Sequence, residues 1–276
     1  MSDIPSHEMV PGRQFHIFPL EGYSGNTFPH KHNFYEIIWP WQGDGIHLID
    51  FQEHSLDSHA VFLLKPDQVN KFASKNLAGY IIEFSEPFLC HEPQDRVVLE
   101  KLCQSNHFQL NSSVESAVRK LLALLYQEYL SEDSRSDLIR TYLKAIIINL
   151  SKVLKSADLA IYDGDTERIA HINKLLRENF KTHKNVKFYA NSLSLTPKRL
   201  NEILKLKTGK TMTELIHNRL EMEARRELIF GQLSVKDIAL KLGFDDPSYF
   251  SRFFLRTAGM YPQDYRKNNH FSVTNQ

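Results

Sequence analysis

Three side chains near the start of the chain have the types and spacing to meet a ligand. His30, His32 and Glu36, followed by Gly43, form the pattern H-x-H-x3-E-x6-G. Neutral imidazoles and a carboxylate are a workable donor set for a transition metal. A second group lies in the other half: Lys198, Arg199, Asn201, Glu202 and Lys205, then Ser248, Tyr249, Ser251, Arg252 and Arg256. Arginine and asparagine can make paired hydrogen bonds to the guanine and adenine edges exposed in a major groove. The same residues would equally suit a solvated helix face, so the elements carrying them decide the matter.

Those elements recur. VKFYANSL at 186–193 aligns with VKDIALKL at 235–242 at an offset of 49. After a turn the offset becomes 50, pairing Thr196-Pro197 with Asp246-Pro247, Leu200 with Phe250, and Gly209 with Gly259. Each copy reads as helix, tight turn, helix. Ala190 and Ala239 sit where two helices must cross closely. Thr196 and Asp246 are N-cap residues with proline in the first helical position behind them. Leu200, Ile203 and Leu204, or Phe250, Phe253 and Phe254, pack each second helix inward and turn the polar group outward. A stripe of Leu215, Ile216, Leu220, Ala224 and Leu228 predicts a long helix over 213–230 between the copies. If both second helices enter one face of a duplex, their spacing is about 34 Å.

Charge supports a polyanionic partner for this half alone. Residues 166–276 hold 20 Lys and Arg against 11 Asp and Glu, a net of +9, whereas the rest of the chain holds 14 against 22, a net of −8. Two copies on a cationic domain point to double-stranded DNA.

The first half has a different period. Runs at 34–41, 46–51, 60–64 and 80–84 are aromatic and β-branched, punctuated by Gly43, Gly45, Pro66 and Gly79, which predicts short strands in a small barrel or sandwich. Helical stripes follow at 114–129, behind an Asn111/Ser112 start signal, and at 138–154. The second stripe is wide enough for two surfaces: the barrel and a second subunit, or its own core alone. The expected division is 1–92 barrel, 93–155 helices, 156–165 linker, 166–268 DNA-binding domain and 269–276 tail. The fold class expected is multi-domain α+β. No apolar run is long enough to span a bilayer, and the N-terminus lacks the blocks of a signal peptide. Two cysteines, Cys90 and Cys103, are too few for a disulfide framework, so residence in the cytoplasm is expected.

The stretch LSVKDIALKLGFDDPSYFSRFFLRTAGMYPQDYR at 233–266 closely resembles the C-terminal signature of the AraC/XylS transcription regulators, and the resemblance extends over about 166–268. It implies a seven-helix domain with two recognition helices in successive major grooves. By position, Lys198, Asn201 and Glu202 of one and Ser248, Ser251 and Arg252 of the other would reach bases or nearby phosphates. Ser194 stands where the second copy has Gly243, a departure from the usual turn.

The pattern at His30, His32, Glu36 and Gly43 resembles the first motif of the cupin barrels. In metal-binding cupins a second motif supplies a further histidine, and here Asn70 holds that place. Losing one imidazole favours a metal-free pocket over a catalytic centre. Expected effector-binding residues are therefore His30, His32 and Glu36, together with Trp39, His47 and Tyr80 on candidate strands, where His16 and Trp41 also fall. The combined expectation is a non-enzymatic regulator with no cofactor and no membrane partner. It would be an activator, controlled by a small-molecule effector, dimeric, and working with RNA polymerase.

Overall fold

The computed structural model describes residues 3–23, 28–57, 59–154 and 164–269. The chain divides into two compact units, one of residues 6–162 and one of residues 163–276 with 1–5. The predicted linker at 156–165 lies almost wholly outside the described residues, as does most of the predicted tail.

The first unit is built on strands β1 (Ser6–His7), β2 (Phe15–Pro19), β3 (Lys31–His32), β4 (Tyr35–Ile49), β5 (Gln52–Ser55), β6 (Ala60–Leu64), β7 (Asn70–Phe84) and β8 (His107–Gln109). Its main sheet runs β2-β7-β4-β6-β8 with β5 beside β4, and a short parallel pair joins β1 to β3. The runs predicted as separate strands at 34–41 and 46–51 are one continuous strand, β4, antiparallel to β7 along its length. The glycines that read as punctuation lie inside these strands. Register shifts fall between Pro40 and Gln42 and between Gln42 and Asp44, and Gly43 takes φ 106° between them. A bulge absorbs an extra residue and bends the strand without ending it. Gly79 has φ 150°, and a Cβ there would collide with the Trp39 carbonyl, so close backbone approach requires glycine.

Helices α1 (Glu86–Leu89), α2 (Pro93–Leu102), α3 (Ser112–Tyr129) and α4 (Ser136–Ser151) complete this unit. Asn111 caps α3 by accepting from the Val114 N–H at 3.0 Å, as its start signal predicts. Strand parity sorts the core. Tyr35, Ile37 and Trp39 of β4 join Val118, Leu122, Leu143, Ile146 and Ile147 of the helices in one cluster. Ile38 and Ile49 join Phe62, Leu64 and Phe72 in another. The two helical stripes are thus buried largely within their own unit, leaving Leu124 and Ile148 exposed.

The second unit is helical: α5 (Gly164–Asn179), α6 (Val186–Ser192), α7 (Pro197–Thr208), α8 (Met212–Ile229), α9 (Val235–Lys241), α10 (Pro247–Ala258) and α11 (Pro262–Asn269). The long connecting helix starts one residue earlier than the stripe alone predicts. Thr211 caps it and Glu214 reaches back to the Thr211 N–H at 2.6 Å, closing a capping box. Among the described residues no helix is long and apolar enough to cross a membrane.

Candidate functional site

The two copies of the repeat fold alike. Helices α6 and α9 are both 7 residues long and α7 and α10 both 12, α7 and α10 each begin with a proline, and all four have a side-chain N-cap. Thr196 accepts from the Arg199 N–H and Asp246 from the Ser248 N–H. Each such cap stabilises its helix by about 1 kcal/mol. Gly209 and Gly259 end the second helices in the left-handed conformation. Ala190 and Ala239 are fully buried, and each accepts through its carbonyl from the residue that re-enters after the turn, Leu195 or Phe244, at 2.9 Å. Leu200, Ile203, Leu204, Phe250, Phe253 and Phe254 are buried.

Packing of those apolar residues turns the polar face outward. Lys198, Arg199, Glu202 and Lys205 on α7 are exposed, as are Ser248, Tyr249, Arg252 and Arg256 on α10, while Asn201 and Ser251 are half-buried. Several have local partners. Arg199 meets Glu202 at 3.3 Å and Lys205 meets Glu214 at 3.2 Å, pairs on the surface that nucleic acid could displace at small cost. Asn201 accepts from the Met212 N–H at 2.9 Å, which ties α7 to the start of α8 and leaves its amide N–H groups for other contacts. Ser251 donates to the Pro247 carbonyl at 2.9 Å. Arg252 stands 4.0 Å from Asp246, and the Arg256 guanidinium lies 6.0 Å from the Phe253 ring centre.

In the first unit, antiparallel register sets His16 of β2, Glu83 of β7 and Glu36 of β4 side by side. Like charges directly opposite one another are unfavourable, and a histidine stands against each. His16 meets Glu83 at 3.1 Å, and His32 meets Glu36 at 2.9 Å. The other ring nitrogen of His32 donates to the Phe34 carbonyl at 2.7 Å. A carbonyl only accepts, so that nitrogen carries a proton, and the Glu36 carboxylate favours a proton on the second. Burial alone would pull the His32 pKa down, but the hydrogen bond and charge of Glu36 outweigh it and hold it above the usual value. Burial would raise the Glu36 pKa, and His32 more than reverses this. Glu83 is pushed up, by burial first and then by Glu36. Tyr23, half-buried near both carboxylates, is pushed up to about 12, by burial first and then by Glu36 and Glu83.

These groups border a cavity of about 320 Å³, with His30, Phe18 and Tyr23 in its walls and the 7–13 segment along its edge. His30 and Asn70 exchange both backbone hydrogen bonds, at 3.0 and 2.8 Å, so the residue standing in for a second-motif histidine lies beside the first motif. His32 Nδ1 is taken up by the Phe34 carbonyl, and its Nε2 stands 2.9 Å from the Glu36 carboxylate. Among the described residues no group of three or more His, Cys, Asp or Glu is arranged to hold a metal ion.

Of the six residues expected at an effector site, His30, His32 and Glu36 share this cavity. Trp39 and Tyr80 lie among the helices, where the Tyr80 ring meets Trp41 edge-on at 5.3 Å and Tyr126 at a tilt at 4.7 Å, and Arg119 lies 5.2 Å from the Trp39 ring centre. His47 is fully buried between Phe62 and Phe72, at 5.1 and 5.4 Å. Glu83, Tyr23 and Arg13, which sequence reasoning missed, line the cavity. Period-2 parity was the available signal: Glu36 and Trp39 differ by an odd number of residues on one strand and must face opposite ways.

Two family models match the chain: an AraC-like ligand binding domain over residues 18–143 and a helix-turn-helix domain over residues 189–268. Among curated relatives, the HTH-type transcriptional activator RhaR of Yersinia pestis bv. Antiqua (strain Angola) is 23% identical over 270 residues, covering 96% of this chain and 93% of the relative. The HTH-type transcriptional activator RhaS of Escherichia coli O1:K1 / APEC is 28% identical over 246 residues, covering 87% and 88%. Among solved structures, ToxT from Vibrio cholerae O395 matches with a TM-score of 0.41 and 17% identity, covering 94% of this chain and 95% of that one. With one domain that matches AraC-like ligand-binding modules and a second that duplicates a helix-turn-helix, the chain belongs to the AraC family of DNA-binding transcription regulators.

Proposed function

We propose that this regulator activates transcription by setting α7 and α10 into the major groove of an operator, under the control of a small molecule held in the His30/His32/Glu36 cavity. The observation that carries the reading is the repeated geometry: two helices with matching caps, each burying an apolar trio and exposing a polar, mostly cationic face. Arg252 and the free amide of Asn201 are the side chains best suited to base edges, and Lys198, Lys205 and Arg256 to phosphates. A ligand in the cavity must bind one arrangement of the protein better than another, because equal affinity for both shifts nothing. Such a regulator works beside its DNA in the cytoplasm, with RNA polymerase as a further partner. It acts as a homodimer, for which the exposed Leu124 of α3 and Ile148 of α4 supply apolar contacts.

A gel-shift titration against the promoter beside its own gene tests the reading. A specific shift that weakens steeply with salt is expected, because Lys and Arg contacts release counterions from the duplex. Equal affinity for promoter and scrambled DNA at every salt concentration would refute it.

A further inference from the structure

The sensor unit has a second cavity whose chemistry is the reverse of the first. It also measures about 320 Å³, and it lies among residues 12–15, α1, the end of α3 and the start of α4. The 1–165 part of the chain is strongly acidic, and the first cavity is edged by Glu8, Glu36 and Glu83. The second has no Asp or Glu among its lining residues and is lined by two arginines, Arg13 and Arg140.

Arg140 is held in place. Its Nε donates to the Phe88 carbonyl at 2.9 Å, and its guanidinium sits 5.4 Å from the Phe88 ring centre. That leaves its terminal nitrogens with no recorded acceptor among the described residues. Arg13 makes no side-chain ion pair among the described residues. The cavity is also lined by aromatic rings: Phe15 packs against Phe88 at 5.2 Å and against Tyr129 at 5.8 Å. Ser136 adds a hydroxyl at the rim. Two guanidiniums without carboxylates are unusual in an acidic domain, and a carboxylate matches their paired N–H groups.

We propose that this second cavity binds a small organic carboxylate with an apolar body, the carboxylate between Arg13 and Arg140 and the body against Phe15, Phe88 and Tyr129. The site is separate from the His30/His32/Glu36 cavity, but the two share Arg13, which borders both. A carboxylate that draws Arg13 to itself takes a positive charge away from the edge of the first cavity, so occupancy of one changes the electrostatics of the other.

Calorimetric titration of the full chain with 3-phenylpropanoate tests the proposal, with 3-phenylpropan-1-ol and inorganic phosphate as comparison probes. Saturable binding of one phenylpropanoate per chain is expected, with the alcohol and phosphate each at least about tenfold weaker, the loss of one charge-assisted contact set. Arg13→Gln and Arg140→Gln should each weaken phenylpropanoate by a similar factor. Arg13 anchors nothing else, so its variant tests the site even if Arg140→Gln fails to fold. The alcohol binding as tightly as the acid would reduce the site to an apolar groove and overturn the proposal. Phosphate matching phenylpropanoate would remove the role of the aromatic wall, and undiminished binding by Arg13→Gln would place the ligand elsewhere; either result also overturns it.

Discussion

Ser194 and Gly243 occupy the same left-handed corner of the two repeats, at φ 55° and φ 72°. Each closes the turn between the helices of its unit, through Ser194 N–H to the Asn191 carbonyl and Gly243 N–H to the Leu240 carbonyl. Their surroundings differ. A Cβ at Gly243 would run into the Lys181 carbonyl, and Lys184 donates to the Gly243 carbonyl while its ammonium sits 3.8 Å from the Phe244 ring centre. Glycine is therefore required in the second copy, and the first tolerates a side chain.

Gly243→Ala is expected to destabilise the helical unit by about 2 kcal/mol or more, combining left-handed strain with a backbone collision. Ser194→Gly should be neutral or stabilising by up to about 1 kcal/mol, because relief of left-handed strain is partly offset by the greater freedom of glycine in the unfolded chain. Denaturant unfolding followed by far-ultraviolet circular dichroism checks both. Equal effects of the two substitutions would show that the corners are not distinguished by packing.

Arg252→Ala should reduce discrimination between operator and scrambled DNA by about 1–3 kcal/mol if its guanidinium reads a base edge. Lys198→Ala, at an exposed position proposed to meet phosphate, should weaken both DNAs alike and lower the salt dependence by about one counterion. Competitive gel shifts at several salt concentrations separate these outcomes. Discrimination unchanged by Arg252→Ala would assign that side chain to the backbone.

Asn201 has a structural task besides its amide N–H groups, which are left for other contacts. Asn201→Ala should cost about 1 kcal/mol of stability through the lost contact to the Met212 N–H, besides any loss of DNA affinity. Asn201→Asp keeps the acceptor and removes the amide donors. It should therefore fold like wild type and still bind DNA poorly. Normal DNA affinity in Asn201→Asp would confine the residue to its structural task.

The burial of His47 is expected to make the sensor unit sensitive to acid. Burial lowers its pKa from 6.5 to about 4. Between these values the unfolded chain binds a proton that the folded chain does not, so stability is full above about pH 6.5 and falls as pH drops toward 4. The span corresponds to roughly 3 kcal/mol. Both tryptophans, Trp39 and Trp41, lie in this unit, so their fluorescence follows its unfolding alone. His47→Phe, set among the Phe62 and Phe72 rings, should flatten the loss between pH 6.5 and 4. An unaltered pH profile would mean that other groups, such as His30 and Glu36, carry it.

Much of the DNA-binding half was legible in the order of residues. A repeat at a fixed offset specifies the same local structure twice, and cap chemistry is local: Thr196-Pro197 and Asp246-Pro247 mark helix starts within a few residues. The strands were less legible. Gly43 and Gly79 read as breaks, but long antiparallel strands can carry a bulge or a glycine where the partner backbone comes close, and that partner is 30 or more residues away.

The sequence by itself determined the two halves with opposite charge, the duplicated helix-turn-helix with its caps, and the identity of the polar residues on α7 and α10, because propensity, periodicity and capping act over a few residues. Tertiary structure alone decided which residues share a cavity. Cross-strand register joined Glu83 to Glu36 and sent Trp39 to the opposite face. It also buried Glu223 and Arg226 as a 3.1 Å pair inside α8, residues whose charge reads as surface, because α8 is packed by α7, α9, α10 and α11 together. Such pairings depend on long-range closure of the chain, which no local pattern records.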